Sequence, residues 1–196
     1  ADDAGTFDTE VRELLGEMAL NVSFALDNFT WEEERRRNEA RINELAYYDQ
    51  LTGLANRPLL TDRIRQAVAV GMRTDKFSAL LFFDLDRFKT INDTLGHAHG
   101  DNLLRQVGQR LLGIVPADDT VARFGGDEFV LLLHGLSGSS EEAAEAVALI
   151  CRKILSAVRE PIVVEGITCH CTASIGVALF GKQSITPDEL LKQADL

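Results

Sequence analysis

The stretch Phe77 to Phe83 (FSALLFF) constrains this chain more than any other. It is a continuous apolar run too short to cross a membrane, and it reads as a strand buried on both faces. It ends in Asp84-Leu85-Asp86. Carboxylates at the C-terminal end of a buried strand sit where α/β sheets hold metal ions and phosphates. Strand alternation sends Asp84 and Asp86 to one face and Leu85 to the other. A second acidic motif follows downstream, Arg123-Phe124-Gly125-Gly126-Asp127-Glu128-Phe129. A Gly-Gly pair between strands signals a hairpin, because both positions can take positive φ. Without side chains there, a ligand can press against the backbone. Alone, a turn with two acids is equally a solvated hairpin. Two acidic clusters at the edge of one sheet make a site for a hard cation such as Mg²⁺, which takes oxygen ligands and keeps substrate phosphates in its shell.

At 196 residues the chain fits one ordinary domain plus an extra element, and 45% hydrophobic residues suffice for a core. The net charge of −11 argues against a nucleic-acid partner. It does not argue against a nucleotide, because a divalent ion supplies local positive charge. Cys169-His170-Cys171 puts both sulfurs on one face but lacks the ligands of a closed zinc site, so these and Cys151 read as buried, reduced thiols. No apolar stretch approaches the ~18 residues of a membrane span, and no leader is visible, so the expectation is a soluble, cytoplasmic chain with no membrane in this segment.

Residues 1–47 differ from the rest. Val11, Leu15, Met18, Val22, Leu26 and Phe29 trace one helix face, followed by the charged run Trp31 to Arg37 and then Ile42 and Leu45. The segment reads either as a solvated helix or as a parallel coiled coil joining two copies. Beyond it, the pattern predicts a helix over 57–72, a strand over 78–84 and a helix over 102–114. Strands over 120–124 and 128–133, a helix over 141–159, and strands over 162–164 and 168–180 follow. A last helix starts near Thr186, with Pro187 at its first position. This β-α-β-β-α-β order predicts an α/β (α+β) fold whose mixed sheet carries helices on one side.

The segment Arg123 to Phe129 resembles the signature hairpin of GGDEF domains, the bacterial diguanylate cyclases. Asp49 to Arg57 (DQLTGLANR) resembles the family's opening motif, and Phe83 to Lys89 (FDLDRFK) its first-strand metal motif. Ile91 to His97 (INDTLGH) with Gly100-Asp101 resembles its guanine-binding segment, and Thr172 to Ala178 (TASIGVA) a late core strand. Order and spacing agree from Tyr48 to Leu196. The resemblance implies a nucleotidyl-cyclase palm over 48–196, with its C-terminal end missing. It also implies a long N-terminal signalling helix over 1–47, of which Leu14 to Phe29 is similar to the last helix of a GAF sensor domain. The chain then reads as a piece of a longer signalling protein.

The implied reaction joins two GTP into cyclic di-GMP and releases two pyrophosphates, with Mg²⁺ or Mn²⁺, two per active site. By the same resemblance, Asp84, the Leu85 carbonyl and Asp127 hold metal. Asp127 also helps deprotonate the attacking hydroxyl, and Glu128 supports either the metal or that hydroxyl, with the choice of base left open between the two acids. Backbone N–H groups at Arg87, Phe88 and Lys89 cradle phosphates, and Gly125 and Gly126 leave room for the nucleotide. Asn92 and Asp101 read guanine. His97 either packs and caps a helix or touches the ligand, whereas His99, His134 and His170 read as surface or strand residues. One half-site holds one GTP, so a homodimer with facing sites, joined by the N-terminal helix, is implied. The family's Arg-x-x-Asp product-inhibition motif is incomplete: Pro116 stands in the arginine's place and only Asp119 remains, so no inhibition through it is expected. Other readings are a non-catalytic GTP-binding module controlling an attached domain such as an EAL phosphodiesterase, a dimerisation scaffold, and an adenylate cyclase. The intact acids and the guanine-reading pair favour the first reading.

Overall fold

The structure is a computed structural model describing residues 14, 16, 31–39, 41–136, 138–164 and 166–195. The expected apolar face from Val11 to Phe29 and the GAF-like segment fall outside the described residues, apart from the isolated positions 14 and 16. The chain divides into two compact units, residues 1–44 and 45–196. In the first, residues 31–39 and 41–44 are helical. Arg35–Glu39, Arg36–Glu32 and Arg37–Glu33 pair one turn apart in full solvent, each worth a few tenths of a kcal/mol. Trp31 and Ile42 stay 71% and 64% exposed and fall on one face of the helix.

The second unit is built around a four-stranded sheet. Its elements are α1 (Arg57–Gly71), β1 (Phe77–Leu85), α2 (Phe88–Leu95), α3 (His97–Ile114), β2 (Thr120–Gly125), β3 (Glu128–Leu136), α4 (Ser140–Arg159), β4 (Ile162–Val164), β5 (Ile167–Cys169), β6 (Ala173–Phe180) and α5 (Pro187–Ala194). The sheet order is β2-β3-β1-β6, and β4-β5 form a separate hairpin. The apolar run behaves as its sequence requires. Ala79, Leu81, Phe83 and Leu85 face a core shared with α3 and α4, whereas Leu80 and Phe82 face a second core shared with α1 and α5.

Helices therefore cover both faces, not the expected one. A strand that is apolar at every position can be buried only if both of its faces are roofed. The four strands also pair antiparallel rather than as a mixed sheet; among the described residues the parallel pairing is the single bridge Ala55–Ala122. The expected strand over 168–180 is broken. Cys171 turns inward, where its Sγ donates to the Val158 carbonyl at 3.5 Å, and the chain passes from the small hairpin to the main sheet. The helix expected from Asn102 starts at His97, and the short α2 precedes it, separated by Gly96 at φ 88°. The last helix starts as expected, with Thr186 and Glu189 forming a reciprocal capping box. Cys169 and Cys171 are buried and Cys151 is half-buried, all as free thiols.

Candidate active site at the end of the central strands

Register places the acids. Phe83 pairs with Phe129, and Asp84 with Glu128 in the next step of the same ladder. The two phenylalanine rings are fully buried and stack 5.3 Å apart, nearly parallel. This core contact locks the register, because a one-residue slip would bring the acids inward and the rings outward. On the other side of β1, Asp84 pairs with Ser174 of β6. Between β2 and β3 the turn is Gly126-Asp127, closed by the pair Gly125–Glu128. Gly126 has φ 52°, whereas Gly125 and Asp127 do not have positive φ, the pattern of a II′ hairpin turn. Only one of the two glycines thus uses left-handed freedom. The register shift between Arg123 and Gly125 is a β-bulge that strengthens the local twist beside the acids. A methyl group on Gly126 would meet nothing within 4 Å, and one on Gly125 only Glu128 at 3.9 Å, so this flank is open.

The electrostatics are those of uncompensated acids. Burial pushes the Asp84 carboxyl above its usual value, and Asp127 and then Asp86 push it further, against the Leu85 N–H that donates to it. The Asp127 side chain lies close to Asp84. Burial likewise raises Glu128, helped by Asp84, Asp195 and Asp127 and opposed by Arg57. Asp195 is an acid that the sequence reading missed. It follows α5, which packs so tightly on β6 that a methyl at Gly176 would overlap the Ala194 carbonyl.

The Leu85 side chain is core, but its carbonyl direction follows from the next residue. Asp86 N–H donates to the Thr172 carbonyl on the β6 side at 2.8 Å. A trans peptide is planar, with its C=O opposed to its N–H, so the Leu85 carbonyl points the other way, toward β3 and the acidic turn. Among the described residues no three acidic, imidazole or thiol side chains converge as a metal cage. A pair of neighbouring carboxylates with one carbonyl directed to their side suits a hard divalent ion that completes its shell with water and phosphate.

Next to the acids, Arg87 takes φ 62°, ψ 21°, the left-handed region, and leads into α2. It is the non-glycine residue with positive φ among those described. A left-handed residue followed by a right-handed one turns successive N–H groups to one side, forming an anion nest. No side chain caps the N-terminus of α2, so its first N–H groups lack an intrahelical acceptor. The Phe88 ring is core and Lys89 is exposed, so of the phosphate-cradle residues Phe88 can contribute only its backbone. A cleft of about 780 Å³ opens here, bounded by Asp84, Asp86, Arg87 and Thr172, and a smaller one of about 270 Å³ reaches Asp84, Glu128 and Asp195.

The expected guanine-reading residues form a second group, on the α2–α3 corner, and line neither cleft. Asn92 Oδ1 is buried without a hydrogen-bond partner. It lies against Gly100, where a methyl would come within 1.9 Å of it, and beside the Phe88 ring. Asp101 follows Gly100 in α3, half-buried, and His97 is exposed at the first position of α3. The orphaned Asn92 oxygen offers unspent hydrogen-bonding capacity at this corner.

One clamp escaped the sequence reading. Arg123 Nε and Nη2 donate to the Gly126 carbonyl at 3.0 and 2.7 Å, and Nη1 donates to both oxygens of Asp49 at 3.2 and 3.1 Å. Burial alone would raise Asp49, but the Thr52 N–H and hydroxyl and Arg123 outweigh it and hold its carboxyl low.

Comparison with known proteins places this geometry. The family model described as "Diguanylate cyclase, GGDEF domain" matches residues 46–196. The chain is 42% identical over 159 residues to the bifunctional diguanylate cyclase/cyclic di-GMP phosphodiesterase MucR of Pseudomonas aeruginosa, covering 81% of this chain and 22% of MucR. It is 34% identical over 184 residues to the diguanylate cyclase TpbB of the same species, covering 93% of this chain and 41% of TpbB. The chain thus spans well under half the length of these curated relatives. Among solved structures, the isolated GGDEF domain of TpbB matches with TM-score 0.69 at 39% identity, over 76% of this chain and 84% of that one. The coiled coil and GGDEF domain of DgcB from Caulobacter crescentus, in complex with c-di-GMP, matches with TM-score 0.76 at 26% identity, over 89% of this chain and 90% of that one. With its signature hairpin, its first-strand acids and a family match over most of its length, the chain belongs to the GGDEF domain family.

Proposed function

We propose that this chain is a diguanylate cyclase domain that condenses two GTP into cyclic di-GMP and two pyrophosphates. The observation that carries this reading is the side-by-side arrangement of Asp84, Asp127 and Glu128 with the Leu85 carbonyl and the uncapped start of α2. Bound Mg²⁺ or Mn²⁺, two per site in the family, would supply charge neutralisation at the triphosphate and acidify the attacking hydroxyl. Asp84, the Leu85 carbonyl and Asp127 hold that charge in place. The N–H groups of Arg87, Phe88 and Lys89 bind the phosphates, and the open flank at Gly125 and Gly126 admits them. In each step a ribose 3′-oxygen forms a bond to the α-phosphorus of the other GTP. The bond from that phosphorus to the bridging oxygen breaks, and pyrophosphate leaves. The 3′-proton passes to Asp127 or Glu128. Asn92 and Asp101 take the guanine edge, whose N1–H and N2–H₂ give a carboxylate two donors that adenine lacks; His97, exposed at the start of α3, stands on the same corner.

Each chain positions one GTP, so the active form is a two-fold dimer with facing sites, in the cytoplasm where GTP is made. Residues 1–47 serve as the signalling helix that pairs the copies; the exposed Trp31 and Ile42 on one helix face support this. The Arg-x-x-Asp inhibition site is absent because proline at 116 cannot supply a guanidinium fork. The test is incubation with GTP and Mg²⁺, with products separated by chromatography and identified by mass, beside Asp127→Ala. Cyclic di-GMP from the parent chain and none from the variant is expected. A dimeric chain that makes no product would overturn the reading. Equal rates at low concentration with and without residues 1–46 would remove the helix from dimer formation.

A further inference from the structure

Asp86 is not used by the reaction as described, yet its backbone N–H and both of its carboxylate oxygens are engaged. Its N–H donates to the Thr172 carbonyl, its Oδ2 accepts from the Thr172 hydroxyl, and its Oδ1 accepts from the Ser174 hydroxyl at 3.0 Å. Both carboxylate oxygens are thus engaged by β6 and the residue that leads into it. Asp86 also occupies the step between the Leu85 carbonyl and the left-handed Arg87. Left-handed backbone at a residue with a Cβ costs about 1–2 kcal/mol and persists only where the surroundings impose it.

We propose that Asp86, Thr172 and Ser174 form a latch that fixes the Leu85–Asp86 peptide, and with it the direction of the Leu85 carbonyl toward the acidic turn. Asp86 is then a positioning residue for the divalent ion, not a ligand to it. The inference rests on the metal-site reading above. The physical chain is short. The Asp86 N–H is held to the β6 side, planarity sends the Leu85 carbonyl to the β3 side, and the two hydroxyls keep the peptide from rotating. Without the hydroxyls the single backbone bond remains, at the exposed end of an edge pairing where ladders fray. The carbonyl would then sample directions away from Asp84 and Asp127. Groups that orient metal ligands from behind are typically worth 10–100-fold in metal affinity.

The test uses Mn²⁺ as probe. Binding to the full chain in the presence of GTP is followed by the loss of the free-ion electron paramagnetic resonance signal beyond that caused by the same GTP without protein, with melting temperature measured beside it. The variant Thr172→Val/Ser174→Ala removes both hydroxyls and leaves every acid in place. The expected result is Mn²⁺ affinity weakened 10–100-fold, while Thr172→Ser retains wild-type affinity. Asp86→Asn, which can still accept from Thr172 and donate to Ser174, is expected to lose less than the double variant. Wild-type Mn²⁺ affinity in the double variant would overturn the latch. A larger loss in Asp86→Asn than in the double variant would overturn it too, by making Asp86 a ligand. A parent chain that binds no Mn²⁺ with GTP would overturn both this inference and the cyclase reading, whereas a parent that binds and a double variant that binds equally would sink the latch alone.

Discussion

The two ends of the central sheet both carry acids, half-buried Asp119 at one and exposed Asp84 with half-buried Glu128 at the other, and the fold partners them differently. At one end Asp119, just before β2, accepts the His134 N–H of β3 at 2.7 Å. Burial raises its carboxyl on balance; the His134 N–H and imidazole pull it only part of the way back, and Asp118 adds a minor push upward. At the other end Asp84 and Glu128 are raised by burial and then by other acids. The first acid is satisfied by the chain; the second set is left in mutual repulsion. Like charges facing each other across a sheet are destabilising. A fold that keeps such a set leaves its compensation to something that binds.

The largest expected effect tests that contrast directly. Asp84→Asn or Asp127→Asn should lower the rate of cyclic di-GMP formation by at least about 100-fold, on the order of other electrostatic deletions at reacting centres. Melted in chelator, the same variants should be as stable as the parent or more so, because repulsion is relieved. A clear loss of melting temperature without metal would break the comparison. Gly100→Ala should cost about 1–3 kcal/mol by overpacking against Asn92, read from the urea midpoint, and should weaken GTP binding in calorimetry. At the satisfied end, Asp119→Ala should cost about 1–3 kcal/mol by stranding the His134 N–H. Asp119→Asn keeps an acceptor and should stay within about 0.5 kcal/mol. Neither should change the turnover rate; a change would mean that the two ends are coupled.

A smaller loss than those of Gly100→Ala and Asp119→Ala concerns Asp49. Its folded carboxyl titrates below its unfolded value of 3.8, so its stabilisation is complete above that pH and is lost as pH falls through the depressed folded value. Asp49→Asn should therefore lose about 1 kcal/mol at neutral pH and nothing in strong acid. Urea midpoints of parent and variant at the two conditions check this.

Much of this was legible in sequence, for a local reason. Apolar continuity at Phe77 to Phe83, the Gly125-Gly126 pair and the Thr186-Pro187 start are signals written within a few residues, and each element formed where they stand. The roofing of both sheet faces was also written there, in a strand apolar at every position, but the β-α-β-β order drew the expectation to one side. What stayed hidden depends on register between distant segments. Nothing near Asp86 announces Thr172 and Ser174, nothing near Arg123 announces Asp49, and Asp195 meets Glu128 only because α5 folds back over Gly176. Helix α2 hid because it is only 8 residues long: Phe88, Ile91 and Leu95 mark one apolar face, but two turns give too short a run to stand out beside α3.

The hold of Arg123 on the Gly126 carbonyl and Asp49 has a consequence for recognition. A two-residue turn at a sheet tip is ordinarily among the most mobile parts of a domain, and any partner that needs it still must first immobilise it. Here a planar guanidinium bridges the turn to a loop outside the sheet, with the fork geometry that lysine lacks. The entropy of the Gly126-Asp127 tip is given up once, when the chain folds, and not again each time a ligand arrives. Binding at Asp127 then reports the ligand's own chemistry and not the cost of arranging the protein around it.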